Sequence, residues 1–178
     1  MPNQIIFSMQ IPKYIEFHNK TNCFLSRFLK AAEPEEGCCI LIGKTNNSTK
    51  NHKKNIWEVT HIWNCRNIWG EHESKLSDQN IRAFSDKKNM KLSKKNRFEI
   101  DAKDQIASQK WARKNGLEVL CCAHSHPSGE NKPSKIDLLL HQSPGLMVIS
   151  NKDGVLKAWW IKNKLNFHSV KIKIFSLT

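Results

Sequence analysis

The sequence predicts a single α/β (α+β) domain, in which strands and helices of mixed order surround one sheet. Three observations predict it. The chain has 178 residues, within the roughly 100–200 residues of one domain and long enough to bury a core. Hydrophobic residues make up 39% and charged residues 25%, a globular composition rather than a disordered or fibrous one. Along the chain, apolar runs of strand length alternate with segments of helical period.

Taken in order, Phe24, Leu25, Phe28, Leu29 and Ala32 recur at helical spacing and predict a helix over Asn22–Ala32, stopped by Pro34. Cys38–Ile42, closed by Gly43, has strand length, and Ile56–Trp63 alternates apolar with polar positions. With the polar stretch KTNNSTKNHKKN between them they read as a hairpin with a long loop. Residues 70–96 are charged and aperiodic, ending in KKNMKLSKKN, and read as a surface insertion. Arg97–Ile100 predicts a brief strand. Asp101 is a fitting N-cap for a helix running to about Asn115 and ending at Gly116. Leu117–Ala123 is an apolar strand leading into His124, and Pro133-Ser134 opens a short helix through Leu140. Leu146–Ser150 and Val155–Ile161 are strands joined by a turn at Asn151-Lys152-Asp153-Gly154, and Phe167–Phe175 is the last strand.

Longer apolar features are missing. The unbroken apolar stretches, such as Cys38–Ile42, fall far short of the roughly 20 residues of a membrane-spanning helix. The opening MPNQIIFSMQIPK has no charged leader, long apolar segment or small-residue cleavage site, which predicts a cytoplasmic protein. Six cysteines form two adjacent doublets and no C-x-x-C pair, so they read as buried small hydrophobes in strands. The net charge of +13 rests on 24 Lys and only 5 Arg. That is a solvated surface first and a docking face for an acidic protein second. Arg forks for phosphates and guanine edges are scarce, and the six Trp read as packing rather than a base-stacking platform.

The informative segment is AHSHPSGENKPSKID, residues 123–137. His124 and His126 stand two apart at the end of a strand, so both side chains point to one face, a metal-ligand geometry. Asp137, eleven residues after His126, falls in the first turn of the next helix, and the intervening Pro-Ser-Gly loop can fold its carboxylate back over the imidazoles. Two nitrogens and one oxygen leave a fourth tetrahedral position open, as in a catalytic zinc site. Each residue also has a plain structural explanation. The histidines could be hydrogen-bonded strand residues, and Ser134 with Asp137 fits a helix capping box, a reading compatible with the catalytic one.

The joint pattern H-S-H, seven residues, Ser, two residues, Asp resembles the JAMM (MPN+) metalloprotease signature H-[ST]-H-x7-S-x-x-D. PEEGCCILIG at 34–43 is similar to that family's upstream P-x-E-x-C-G-x-L-x-G. The resemblance continues through RFEID, GLEVLCCAHSHP and LMVISNKDGVLKAWW, covering roughly residues 22–161. It lies nearest to stand-alone prokaryotic members. Cys39 and Cys121 stand where the family commonly has Gly, a change that touches local packing more than catalysis.

The resemblance implies one JAMM/MPN-like domain over residues 1–178, with a curved mixed β-sheet flanked by helices. It implies Zn2+ on His124, His126 and Asp137, with Glu36 moving the proton of the attacking water and Ser134 donating to the oxyanion. The reaction implied is hydrolysis of an amide or isopeptide bond. The substrate implied is a ubiquitin-like or sulphur-carrier protein with a diglycine tail; neither a membrane nor nucleic acid is expected as a partner. The H-S-H-P-S-G stretch also resembles RadC-like proteins associated with DNA repair, which is the alternative. A scaffold lacking metal ligands and a deaminase, which would need C-x-x-C, fit less well.

Overall fold

The computed structural model describes residues 11–46, 55–71, 92–141 and 143–176, and nearly all of the apolar runs become strands of one sheet. In chain order the elements are β1 Tyr14–His18, α1 Asn19–Ala31, β2 Cys38–Asn46, β3 Ile56–Cys65, α2 Ala102–Lys114, β4 Glu118–Ser125, α3 Lys135–Leu140, β5 Gly145–Ser150, β6 Leu156–Asn163 and β7 Asn166–Phe175. The strands are ordered β1-β3-β2-β4-β5-β6-β7, and β7 pairs back onto β1. β1 is parallel to both of its neighbours, β4 and β5 are parallel, and the other pairs are antiparallel. The expected curved mixed sheet is thus curved enough to close into a barrel.

Closure depends on β1, a strand the periodicity did not predict. Tyr-Ile-Glu-Phe offers only two full alternations, too few to stand out, yet Ile15 and Phe17 are fully buried between β3 and β7. Two other boundaries also differ. Gly43 does not end β2; the strand continues to Asn46 through a bulge at Ile42/Gly43. A Cβ at Gly43 would lie 1.8 Å from the Glu58 carbonyl oxygen, so only glycine lets β3 approach there. The expected strand Arg97–Ile100 shrinks to a single bridge between Asn67 and Ile100.

α1 begins three residues earlier than its apolar period and has no side-chain cap. α2 follows expectation: Asp101 accepts from the Lys103 amide, and Gly116, at φ +65°, ends the helix where a side chain would be strained. Most of the 70–96 insertion, residues 72–91, and residues 47–54 of the β2–β3 loop lie outside the described residues.

Alternation along each strand sorts side chains into separate clusters. Ile15, Phe17, Leu41, Trp57, Val148 and Trp160 pack with Leu25 and Leu29 of α1 in the main core. Ile40, Ile42 and Val119 pack under Ala112 and Trp111 of α2. Leu138 of α3 covers Met147, Ile149 and Trp159. Cys38, Cys39 and Cys121 are buried strand residues as expected, whereas Cys23 is exposed on α1. No helix among the described residues is long and apolar enough to cross a membrane.

Candidate metal centre

β4 ends at Ser125, so His124 is its penultimate residue and His126 the first beyond it. Their rings lie on one face, centroids 4.9 Å apart, with the two Nε2 atoms separated by 3.0 Å. Asp137 comes from the first turn of α3. Its Oδ1 lies 3.6 Å from His124 Nε2 and its Oδ2 lies 3.3 Å from His126 Nε2. The expected capping box is present: Ser134 Oγ accepts from the Asp137 amide and Asp137 Oδ2 accepts from the Ser134 amide. That box fixes the carboxylate's rotamer as well as the helix start. The loop between is held by Asn131, whose Nδ2 donates to the Val155 carbonyl while Trp159 Nε1 donates to its own carbonyl.

His124 is fully buried and Phe98 stacks on it, ring centroids 4.4 Å apart. Burial holds its pKa below the ordinary value, so the imidazole is neutral. Its Nδ1 has no partner among the described residues. His126 Nδ1 lies 2.8 Å from the Glu130 carbonyl oxygen, an atom that can only accept; Nδ1 therefore carries a proton and the neutral ring presents the Nε2 lone pair. Burial lowers the His126 pKa, but the Asp137 hydrogen bond and charge outweigh it and the net direction is upward. Burial likewise raises Asp137, and the two histidines overcome this to hold it well below the carboxylate range.

These groups fit a metal ion. A tetrahedral centre with ligand bonds of about 2.0–2.1 Å has ligand–ligand edges of about 3.3 Å. The two Nε2 atoms are 3.0 Å apart, and the distances from them to Asp137, 3.6 Å to Oδ1 from His124 and 3.3 Å to Oδ2 from His126, lie near that value. Among the described residues, His124, His126 and Asp137 form the only group of three or more such side chains close enough to share an ion.

Glu36 precedes β2, whose first residue, Cys38, pairs with His124. Its carboxyl is within electrostatic reach of His126, Asp137 and Arg97, and with the side chain only 5% exposed, burial pushes its pKa up to about 8. Asp137 adds to the rise, while His126 and Arg97 oppose it.

Residues without a role in the sequence reading hold this segment. The Ser125 side chain points away from both histidines: its Oγ accepts from the Gly37 amide at 2.8 Å, and its own amide donates to the Gly37 carbonyl at 3.0 Å. Asn67, 7% exposed, donates from Nδ2 to the carbonyls of Glu36 and Arg97 and accepts at Oδ1 from the amides of Trp69 and Glu99. Ser125 was visible as the middle of H-S-H, where alternation turns it to the opposite face. Asn67, alone in a polar stretch, gave no signal.

Two imidazoles with one ionised carboxylate, set on a closed mixed sheet, define a candidate mononuclear metal-centre protein. The profile described as prokaryotic homologs of the JAB domain matches residues 24–162, and the chain belongs to that family. No curated protein matches it. Among solved structures, a protein from Desulfitobacterium hafniense is 21% identical with a TM-score of 0.67, over 92% of this chain and 94% of that one. One from Salinibacter ruber is 24% identical with a TM-score of 0.58, over 90% and 91%. Both likenesses concern the fold. A JAB1/MPN domain protein from Archaeoglobus fulgidus is 16% identical with a TM-score of 0.48, over 91% and 98%.

Proposed function

We propose that this protein is a zinc metallopeptidase that hydrolyses an amide or isopeptide bond after the C-terminal diglycine of a ubiquitin-like or sulphur-carrier protein. The observation that supports this best is the convergence of three donor side chains: His124 and His126 bring their Nε2 atoms to 3.0 Å from each other, and each Nε2 lies 3.3–3.6 Å from an oxygen of Asp137. Zn2+ bound by these residues supplies a Lewis acid that lowers the pKa of water from 15.7 toward about 7. Glu36, with a pKa near the working pH, is suited to take the proton from the attacking water and return it to the leaving amine. Ser134 Oγ already accepts from the Asp137 amide, which leaves its hydroxyl proton to donate to the developing oxyanion. The net charge of +13 suits an acidic protein substrate.

Metal analysis of protein prepared without chelator is expected to find one zinc per chain. Incubation with the host's own diglycine-ended small proteins, extended or conjugated, is expected to release the shortened form by mass spectrometry. Glu36→Gln is expected to retain zinc and lose turnover. Protein without zinc, or a variant that turns over at the wild-type rate, would overturn the reading.

A further inference from the structure

A cavity of about 820 Å³ opens beside the candidate centre, with Asp137 in its wall. Its lining is mostly apolar: Ile40, Phe98, Val119, Ile136, Leu140 and Met147 contribute, and the volume accommodates a large side chain. Arg97 lines the same cavity and is 8% exposed. Its Nη1 donates to the neighbouring Asn96 carbonyl, while its Nε is buried with no partner among the described residues.

A buried guanidinium is costly unless an anion sits against it. Among the described residues no acid pairs with it: Asp137 is committed to the two histidines, Glu36 lies within electrostatic reach but forms no ion pair with Arg97, and Glu99 and Asp101 are respectively exposed and engaged as the α2 cap. The cation therefore stands ready for an anion that arrives with the substrate. Amide substrates offer carboxylates, whose two oxygens match the planar fork of an arginine.

We propose that this cavity is the leaving-group pocket and that Arg97 anchors the free α-carboxylate of a terminal residue with an apolar side chain. This rests on the peptidase reading and narrows it. The bond cut is the one joining the diglycine to a C-terminal extension, rather than an isopeptide bond to a lysine within another chain. In that step the amide C–N bond breaks, the water oxygen joins the carbonyl carbon, and a water proton passes to the leaving nitrogen. The products are a new carboxylate on the diglycine end and a free amino acid or short peptide whose own carboxylate stays on Arg97.

Two measurements test this separately. In metal-free protein, calorimetric titration with 3-phenylpropanoate and 3-phenylpropanamide reads the pocket without any contribution from zinc. The carboxylate is expected to bind at least about 30-fold more tightly than the amide, with the preference lost in Arg97→Gln and partly kept in Arg97→Lys. Near-ultraviolet circular dichroism checks that each variant is folded. Equal binding of the two probes, or an undiminished preference in Arg97→Gln, overturns the anchor. In zinc-loaded protein, the ratio of kcat/KM for a diglycine-Phe extension over the same extension with a terminal amide is expected to fall toward one in Arg97→Gln. A general structural defect would lower both rates and leave the ratio unchanged. Faster cleavage of an isopeptide conjugate than of the terminal extension overturns the inference and leaves the peptidase standing. A carboxylate preference in a protein that cleaves neither supports the anchor and overturns the peptidase.

Discussion

Replacing Glu36 with Gln in metal-free protein is expected to stabilise the fold at alkaline pH. In the native state the carboxyl is surrounded by protein, and its pKa rises from 4.5 to about 8. In the unfolded chain it keeps its ordinary value. A folded pKa above the unfolded one means a contribution to stability that is fully present below pH 4.5 and is lost progressively as pH rises to about 8. At 1.36 kcal/mol per pKa unit, the loss above pH 8 is on the order of 5 kcal/mol. Gln mimics the neutral acid and does not titrate, and the backbone bonds of residue 36 to Lys94 and Asn67 do not involve the side chain. Urea unfolding of chelated wild type and variant at intervals from pH 5 to pH 9 measures the difference directly. The variant's advantage should be about 1 kcal/mol or less at pH 5 and grow to several kcal/mol by pH 9. A difference that does not change with pH, or a variant less stable at pH 9, would refute the claim that burial shifts this carboxyl.

Three further outcomes follow from other contacts. Ser125→Ala should cost about 1–3 kcal/mol in urea unfolding, because the Gly37 amide loses its acceptor in a buried position; an unchanged midpoint would contradict this. Gly43→Ala should cost more than about 3 kcal/mol or prevent folding, since the added methyl meets β3 backbone rather than a movable side chain; a soluble variant with wild-type thermal stability would refute it. Zinc added to chelated protein at about 1,000 times its dissociation constant should contribute about 4 kcal/mol of stability. His126→Ala should lower affinity enough to abolish that gain at the same zinc concentration, and an equal thermal shift in the variant would remove His126 from the ligand set.

The candidate metal-binding trio was legible because its logic is local. Strand alternation sets His124 and His126 on one face, and a capping box needs only the spacing from Ser134 to Asp137. Glu36 became visible only through resemblance, since nothing near it in sequence shows that β2 will pair with β4. Cys38 opposite His124 is what brings it to the centre. Arg97 and Asn67 were missed for the same reason: their roles depend on contacts with segments some 30 residues or more away. Strand β1 was hidden by its brevity. Its stability comes from two parallel neighbours rather than from any pattern of its own.

Because β1 bridges β3 and β7, it acts as the keystone of an otherwise open arch. Deleting the chain through His18 would remove five residues of strand and expose two unpaired rows of amides and carbonyls, along β3 and along β7. Exposed rows of this kind recruit strands from other molecules. A shortened protein would therefore self-associate through those rows while its candidate metal-binding trio, on the far side of β2, kept its local geometry.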